Sequence, residues 1–201
     1  MTKAKEKMPV RDLCLIALFT AIIAVCAQIT IPMTVPFTLQ TFAVMLTCGV
    51  LGGRRGTISV ALYIIMGAIG LPVFASFNGG ISYLLGSTGG YIVGFFFGAL
   101  LMWAMERLTK RSIVWMGISM VLSVLVCYAF GTAWFAAVYV MNGTPQSLGT
   151  ILSWCVIPFI LPDLAKCALA LDLTDRLARV LPRLEGRKSV PAKADEGTTE
   201  K

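Results

Sequence analysis

Apolar runs fill most of residues 13–181, and Lys and Arg, Lys166 apart, fall only in every second gap between them. Basic residues cluster at the start of the chain (Lys3, Lys5, Lys7, Arg11), in "GGRRG" (Arg54, Arg55), in "ERLTKRS" (Arg107, Lys110, Arg111) and from Arg176 onward. The intervening linkers, around "PMTVPFTLQ", "LPVFASFNGGISYLLGSTGG" and "MNGTPQSLG", contain neither Lys nor Arg. A bilayer imposes this pattern: each crossing needs about 20 apolar residues, and basic loops stay on the cytoplasmic side. Composition agrees, with 57% hydrophobic and 13% charged residues, against roughly 45–50% and 25% in soluble domains.

The reading is an all-α integral membrane protein with six transmembrane helices and both termini cytoplasmic. Residues 1–11 form a cytoplasmic N-terminal segment, 12–183 one six-helix domain, and 184–201 a polar tail short of large apolar residues and expected to be disordered. The first apolar run, "LCLIALFTAIIAVCAQITI", is too long for a signal peptide and lacks an A-x-A ending, so it is expected to stay as span 1. The spans are expected near 13–31, 39–53, 57–74, 90–104, 113–140 and 162–181. Proline interrupts the last apolar region at Pro158 and Pro162. Because proline suits a first helical turn, the final helix is expected to start near Pro162, after a short helix or loop.

The net charge of +7 needs no nucleic-acid partner, since cytoplasmic loops account for it. The chain has six cysteines, scattered without a CxxC pair, and no histidine. Buried apolar roles for the cysteines are expected, with no metal and no disulfide scaffold. No phosphate loop of the G-x-x-x-x-G-K-[ST] type occurs, and no nucleophile–base pair is evident. Neither enzymatic activity nor a cofactor is expected.

Against that background "ILPDLAKCALALDL" (160–173) is unusual, because Asp163 and Lys166 stand three residues apart among apolar neighbours. Residues so spaced share a helix face. They could form a simple ion pair near a helix end, worth only a few tenths of a kcal/mol. Alternatively they line a cavity, as ionisable residues in membrane spans tend to do, and meet a ligand with an anionic group and hydrogen-bond donors. Other residues look like walls of the same cavity: Asn78, Gly79, Ser82, Tyr83, Thr88 and Tyr91 in the glycine-rich linker, and Phe37, Thr38 and Gln40 in the first. Gly86, Gly90, Gly94 and Gly98 form a ladder suited to close packing between spans. Asp172 lies deeper in the last span, with Arg176 four residues on as a neutralising partner.

The motifs PFTLQ (36–40), GLPVFA (70–75), GSTGGY (86–91) and PDLAK (162–166) together resemble BioY, the biotin-specific substrate-binding (S) component family of energy-coupling factor (ECF) transporters. The likeness runs over about residues 10–181, and Ser87 departs from it where the family usually has proline. The resemblance implies a six-helix S-component bundle in the cell membrane, with biotin captured near the extracellular face beneath the first loop. Asp163, Lys166 and the segment around Asn78–Tyr91 would meet the ligand's ring and carboxylate. The resemblance also implies a transmembrane coupling protein, met by Ala17 and Ala21 on helix 1, and two ABC-type ATPases as partners, or a homo-oligomer if the protein works alone. A small membrane enzyme or channel using the same outer cavity is the rival expectation.

Overall fold

The structure is a computed structural model that describes residues 8–109 and 112–180. The helices are α1 (Val10–Gln28), α2 (Gln40–Leu51), α3 (Gly53–Ala68), α4 (Ile81–Leu85), α5 (Gly89–Leu108), α6 (Ile113–Met141), α7 (Leu148–Cys155) and α8 (Ile157–Val180). A two-stranded antiparallel hairpin, β1 (Thr30–Ile31) with β2 (Phe37–Thr38), joins α1 to α2. The expected tail 184–201 lies outside the described residues.

The organising element is α2, where every residue but Phe42 is buried. A helix apolar on all sides belongs inside a bundle, and α2 packs against α8, α3, α1 and α5. By contrast, α6 buries one stripe, Ser119, Met120, Ser123, Val124, Cys127, Gly131 and Phe135, and turns much of its remaining apolar surface outward. Among the described residues four stretches are long and apolar enough to cross a bilayer: α1, α5, α6 and Leu148–Arg179. Outward-facing leucines, isoleucines and valines on these helices fit a hydrocarbon solvent, and the chain is a multi-pass membrane protein.

The joint between α2 and α3 is a single residue, Gly52, at φ 80° and ψ 160°, a conformation open essentially to glycine alone. The Glu106 carboxylate of α5 accepts a hydrogen bond from the Gly53 N–H there, using a donor that the start of α3 leaves free. Close by, Arg55 forms a 2.9 Å salt bridge with Asp12 and ties α1 to α3.

The glycine ladder packs α5 onto α6. A Cβ on Gly90 would lie 2.1 Å from the Trp134 Cβ, one on Gly94 3.0 Å from the Cys127 Cα, and one on Gly98 2.3 Å from the Ser123 Oγ. Gly86 leaves the ladder: it precedes α5, and its carbonyl accepts a 3.0 Å bond from the Trp134 indole N–H.

Three expectations need correction. The fold is not purely helical, because the first linker closes as a hairpin with Thr30 opposite Thr38. Helix α3 ends at Ala68, so the segment through Pro72 lies outside it. The last helix starts at Ile157, and Pro162 sits inside it. Pro158 occupies the first turn, where a missing N–H costs nothing. Pro162 then forfeits one intrahelical bond, which membrane helices tolerate where neighbours support them. Asp163 and Lys166 are therefore held in continuous helix beyond the first turn.

Because the α5–α6 seam leaves no room for a side chain at Gly90, Gly90→Val should destabilise the protein by about 1–3 kcal/mol, as overpacking does. A lowered melting temperature in detergent micelles would show it; an unchanged one would contradict the seam.

Candidate functional site

Near one end of the bundle, α2, α5, α6, α8 and the hairpin surround a recess with about 660 Å³ of empty space, its mouth included. Its floor and one wall come from α8. Asp163 is 4% and Lys166 5% exposed, and the Lys166 ammonium donates to Asp163 Oδ1 at 2.8 Å. The same ammonium donates to the Thr38 backbone carbonyl at 2.7 Å and stands 3.9 Å from the centre of the Phe37 ring. Tyr128, reaching in from α6, donates its hydroxyl to Asp163 Oδ2 at 2.7 Å.

The pair is thus a buried, hydrogen-bonded cluster that fastens three elements together: α8, α6 and the hairpin. Two ionised groups out of water are tolerated only when paired and further hydrogen-bonded, and both conditions hold. Phe37 also stacks on Phe159 of α8, with ring centres 5.9 Å apart. The hairpin therefore lies firmly over the recess.

Of the residues singled out from sequence, Thr38, Gln40, Tyr83, Thr88, Tyr91, Asp163 and Lys166 line this recess. Phe37 lies behind the lining against Lys166 and Phe159. Asn78, Gly79 and Ser82 are not among the lining residues. Asn78 is exposed and turns its amide back to the Ala75 carbonyl at 2.8 Å. Gly79 packs on the Leu71 carbonyl, which a Cβ would approach to 2.4 Å. Ser82 borders a separate outer groove with Ser87, Asn142 and Thr144. Ala17 and Ala21 are exposed on α1. Asp172 is exposed and paired with Arg176 at 2.8 Å, apart from the recess.

Among the residues that sequence reasoning missed are Thr41, Tyr128, Cys155 and Phe159 on the lining, and Gln28 behind it. Tyr128 carried one signal, a phenol within the long apolar run of α6. Gln28 donates to the Phe74 carbonyl at 3.0 Å and accepts from the Phe77 N–H at 2.8 Å. It thereby clamps a turn in which Ser76 and Phe77 hold positive φ, uncommon for residues with side chains. That turn carries Ala75 to the recess.

Two polar groups of the lining are buried without a well-formed partner, the Gln40 amide nitrogen and the Tyr91 hydroxyl. Thr132 and Cys155 neighbour the Tyr91 hydroxyl, yet neither makes a well-formed hydrogen bond with it. Buried polar groups normally have partners, so this pair of donors is suited to a ligand that accepts hydrogen bonds.

Fold and site define a multi-pass membrane protein with a covered, polar-floored recess near one end. The family model described as "BioY family" matches residues 1–183. Among curated relatives, "Biotin transporter BioY" of Thermotoga maritima is 40% identical over 171 residues, covering 85% of this chain and 97% of that protein. "Biotin transporter BioY" of Rhizobium etli is 34% identical over 177 residues, covering 81% and 90%. A solved structure, the S-component for biotin from an ECF-type ABC transporter, superposes with a TM-score of 0.74 at 30% identity, covering 89% of this chain and 95% of that one. The chain belongs to the BioY family.

Breaking the buried pair should be costly whatever the ligand. Lys166→Met strands the Asp163 carboxylate and should destabilise the ligand-free protein by about 3–5 kcal/mol. The double variant Asp163→Leu/Lys166→Met should recover much of that loss. Unfolding in detergent measures both; equal losses in single and double variants would contradict the pairing.

Proposed function

We propose that this protein is the biotin-capturing membrane component of an uptake transporter. Membership of the BioY family and the names of its relatives support the ligand. The observation that carries the reading is the buried Asp163–Lys166–Tyr128 cluster on the floor of a covered recess. Biotin presents a compact bicyclic ring with two urea N–H groups and one carbonyl, plus an acid tail. Asp163, Gln40 and Tyr91 offer matching acceptors and donors, while Phe95, Val124 and Phe159 supply apolar walls.

Orientation follows from charge. The recess is built at the end whose linkers lack Lys and Arg, and positive loops stay inside. The mouth therefore faces the extracellular side, and both termini are cytoplasmic. In this topology α1, α2, α3, α5, α6 and α8 are the six crossings. The short α4 and α7 cap the outer end, and residues 12–183 form the binding domain between a cytoplasmic start and tail. The hairpin with Phe37 and Thr38 serves as the cover.

No motif for ATP hydrolysis is present in the chain, so the energy for uptake comes from partners: a transmembrane coupling protein and two ABC-type ATPases. Exposed Ala17 and Ala21 on α1 offer the coupling protein a close approach. Biotin leaves chemically unchanged, and the chain acts as a binder, not an enzyme.

Purified protein should bind labelled biotin with a Kd below micromolar. Asp163→Asn should weaken binding by about tenfold to a hundredfold, the scale of a charge-assisted hydrogen bond. Wild-type binding no tighter than millimolar would overturn the assignment.

A further inference from the structure

Among the described residues the Lys166 ammonium is the only basic group on the recess lining, and its donors are already engaged. It has three N–H bonds. The Thr38 carbonyl takes one at 2.7 Å and Asp163 Oδ1 another at 2.8 Å. The Phe37 ring face lies 3.9 Å from the nitrogen, within reach of a cation–π contact. Only 5% of the residue is exposed.

The charge balance of the recess is therefore zero, one acid against one base. The linkers around its mouth add no Lys or Arg. A ligand carboxylate drawn onto Lys166 would have to displace Asp163 or share the ammonium with it. Either outcome leaves two buried carboxylates facing one cation, an arrangement disfavoured by both desolvation and like-charge repulsion. It would also loosen Thr38 and with it the hairpin.

The unfilled hydrogen-bonding capacity is neutral in character or suited to N–H groups. The Gln40 amide nitrogen and the Tyr91 hydroxyl are buried donors without a well-formed partner. Asp163 has about four acceptor positions on its two oxygens. Lys166 and Tyr128 each take one, which leaves others for N–H donors. A group with one carbonyl and flanking N–H bonds matches both the donors and the open Asp163 acceptors; a carboxylate matches the donors alone.

We propose that the recess reads the neutral cyclic urea of biotin and is indifferent to the charge of its acid tail, so that tail amides bind as the free acid does. The inference rests on the biotin reading above and deepens it. Lys166 is then a positioning residue that neutralises Asp163 and fastens the hairpin. Specificity resides in Asp163, Gln40 and Tyr91. The tail points toward the mouth, where an ionised end keeps its water and an amide end loses nothing.

The test is competition against labelled biotin on the purified, full-length wild-type protein, using unlabelled biotin and its near-isosteric primary amide. The two should differ in apparent affinity by less than about tenfold, the lower limit for losing a charge-assisted hydrogen bond. An amide weaker by about tenfold or more, with biotin itself tight, overturns the inference and leaves the biotin assignment standing. Binding of neither compound overturns the assignment and the inference together.

Discussion

One buried ion pair organises this molecule. Removing an ammonium and a carboxylate from water costs several kcal/mol each in a real protein, and direct attraction alone does not make that favourable. Here the remaining hydrogen bonds come from Tyr128 on α6 and from the Thr38 carbonyl on the hairpin. The charges can stay buried only while those two elements stay where they are. The pair therefore fixes the cover and the floor of the recess at once. It is a structural commitment before it is a recognition device.

The surrounding fold serves that commitment. Helix α2, buried on nearly every side, gives α8 a wall to lean on and brings Gln40 to the recess from its first turn. The α5–α6 seam, closed by Gly90, Gly94 and Gly98, sets Tyr91 and Tyr128 on facing helices around one cavity. Gln28 holds the 74–78 turn through two hydrogen bonds and so shapes the edge that carries Ala75. At the opposite end, Glu106 and the Asp12–Arg55 bridge hold the helix ends together. The ends of the bundle thus differ: one is fastened by buried Asp12 with half-buried Arg55 and Glu106, the other by a single, more deeply sequestered pair.

Some of this was legible in the sequence. Asp163 and Lys166 stood out because lone charges in an apolar run need a reason, and helical spacing put them together. The ladder was equally readable, since four-residue spacing of glycine implies a seam. Tyr128 was not, because α6 is apolar nearly all round and its burial stripe is set by neighbours more than by periodicity. The hairpin escaped because two-residue strands leave no alternation to detect. Pro162 misled, since a proline signals a helix start only when no earlier one occupies the first turn, and Pro158 does. Asn78 and Ser82 looked like ligand contacts because polar residues in a glycine-rich linker resemble a cavity wall. Neither residue lines the recess; the Asn78 amide turns back to stabilise its own turn.

A crystal structure of the protein with biotin would decide where the ligand sits. The bicyclic ring should lie inside the recess, with a urea nitrogen about 2.7–3.2 Å from an Asp163 carboxylate oxygen and the Lys166–Asp163 contact intact. Biotin seated elsewhere, or held by its carboxylate on a Lys166 parted from Asp163, would contradict this arrangement.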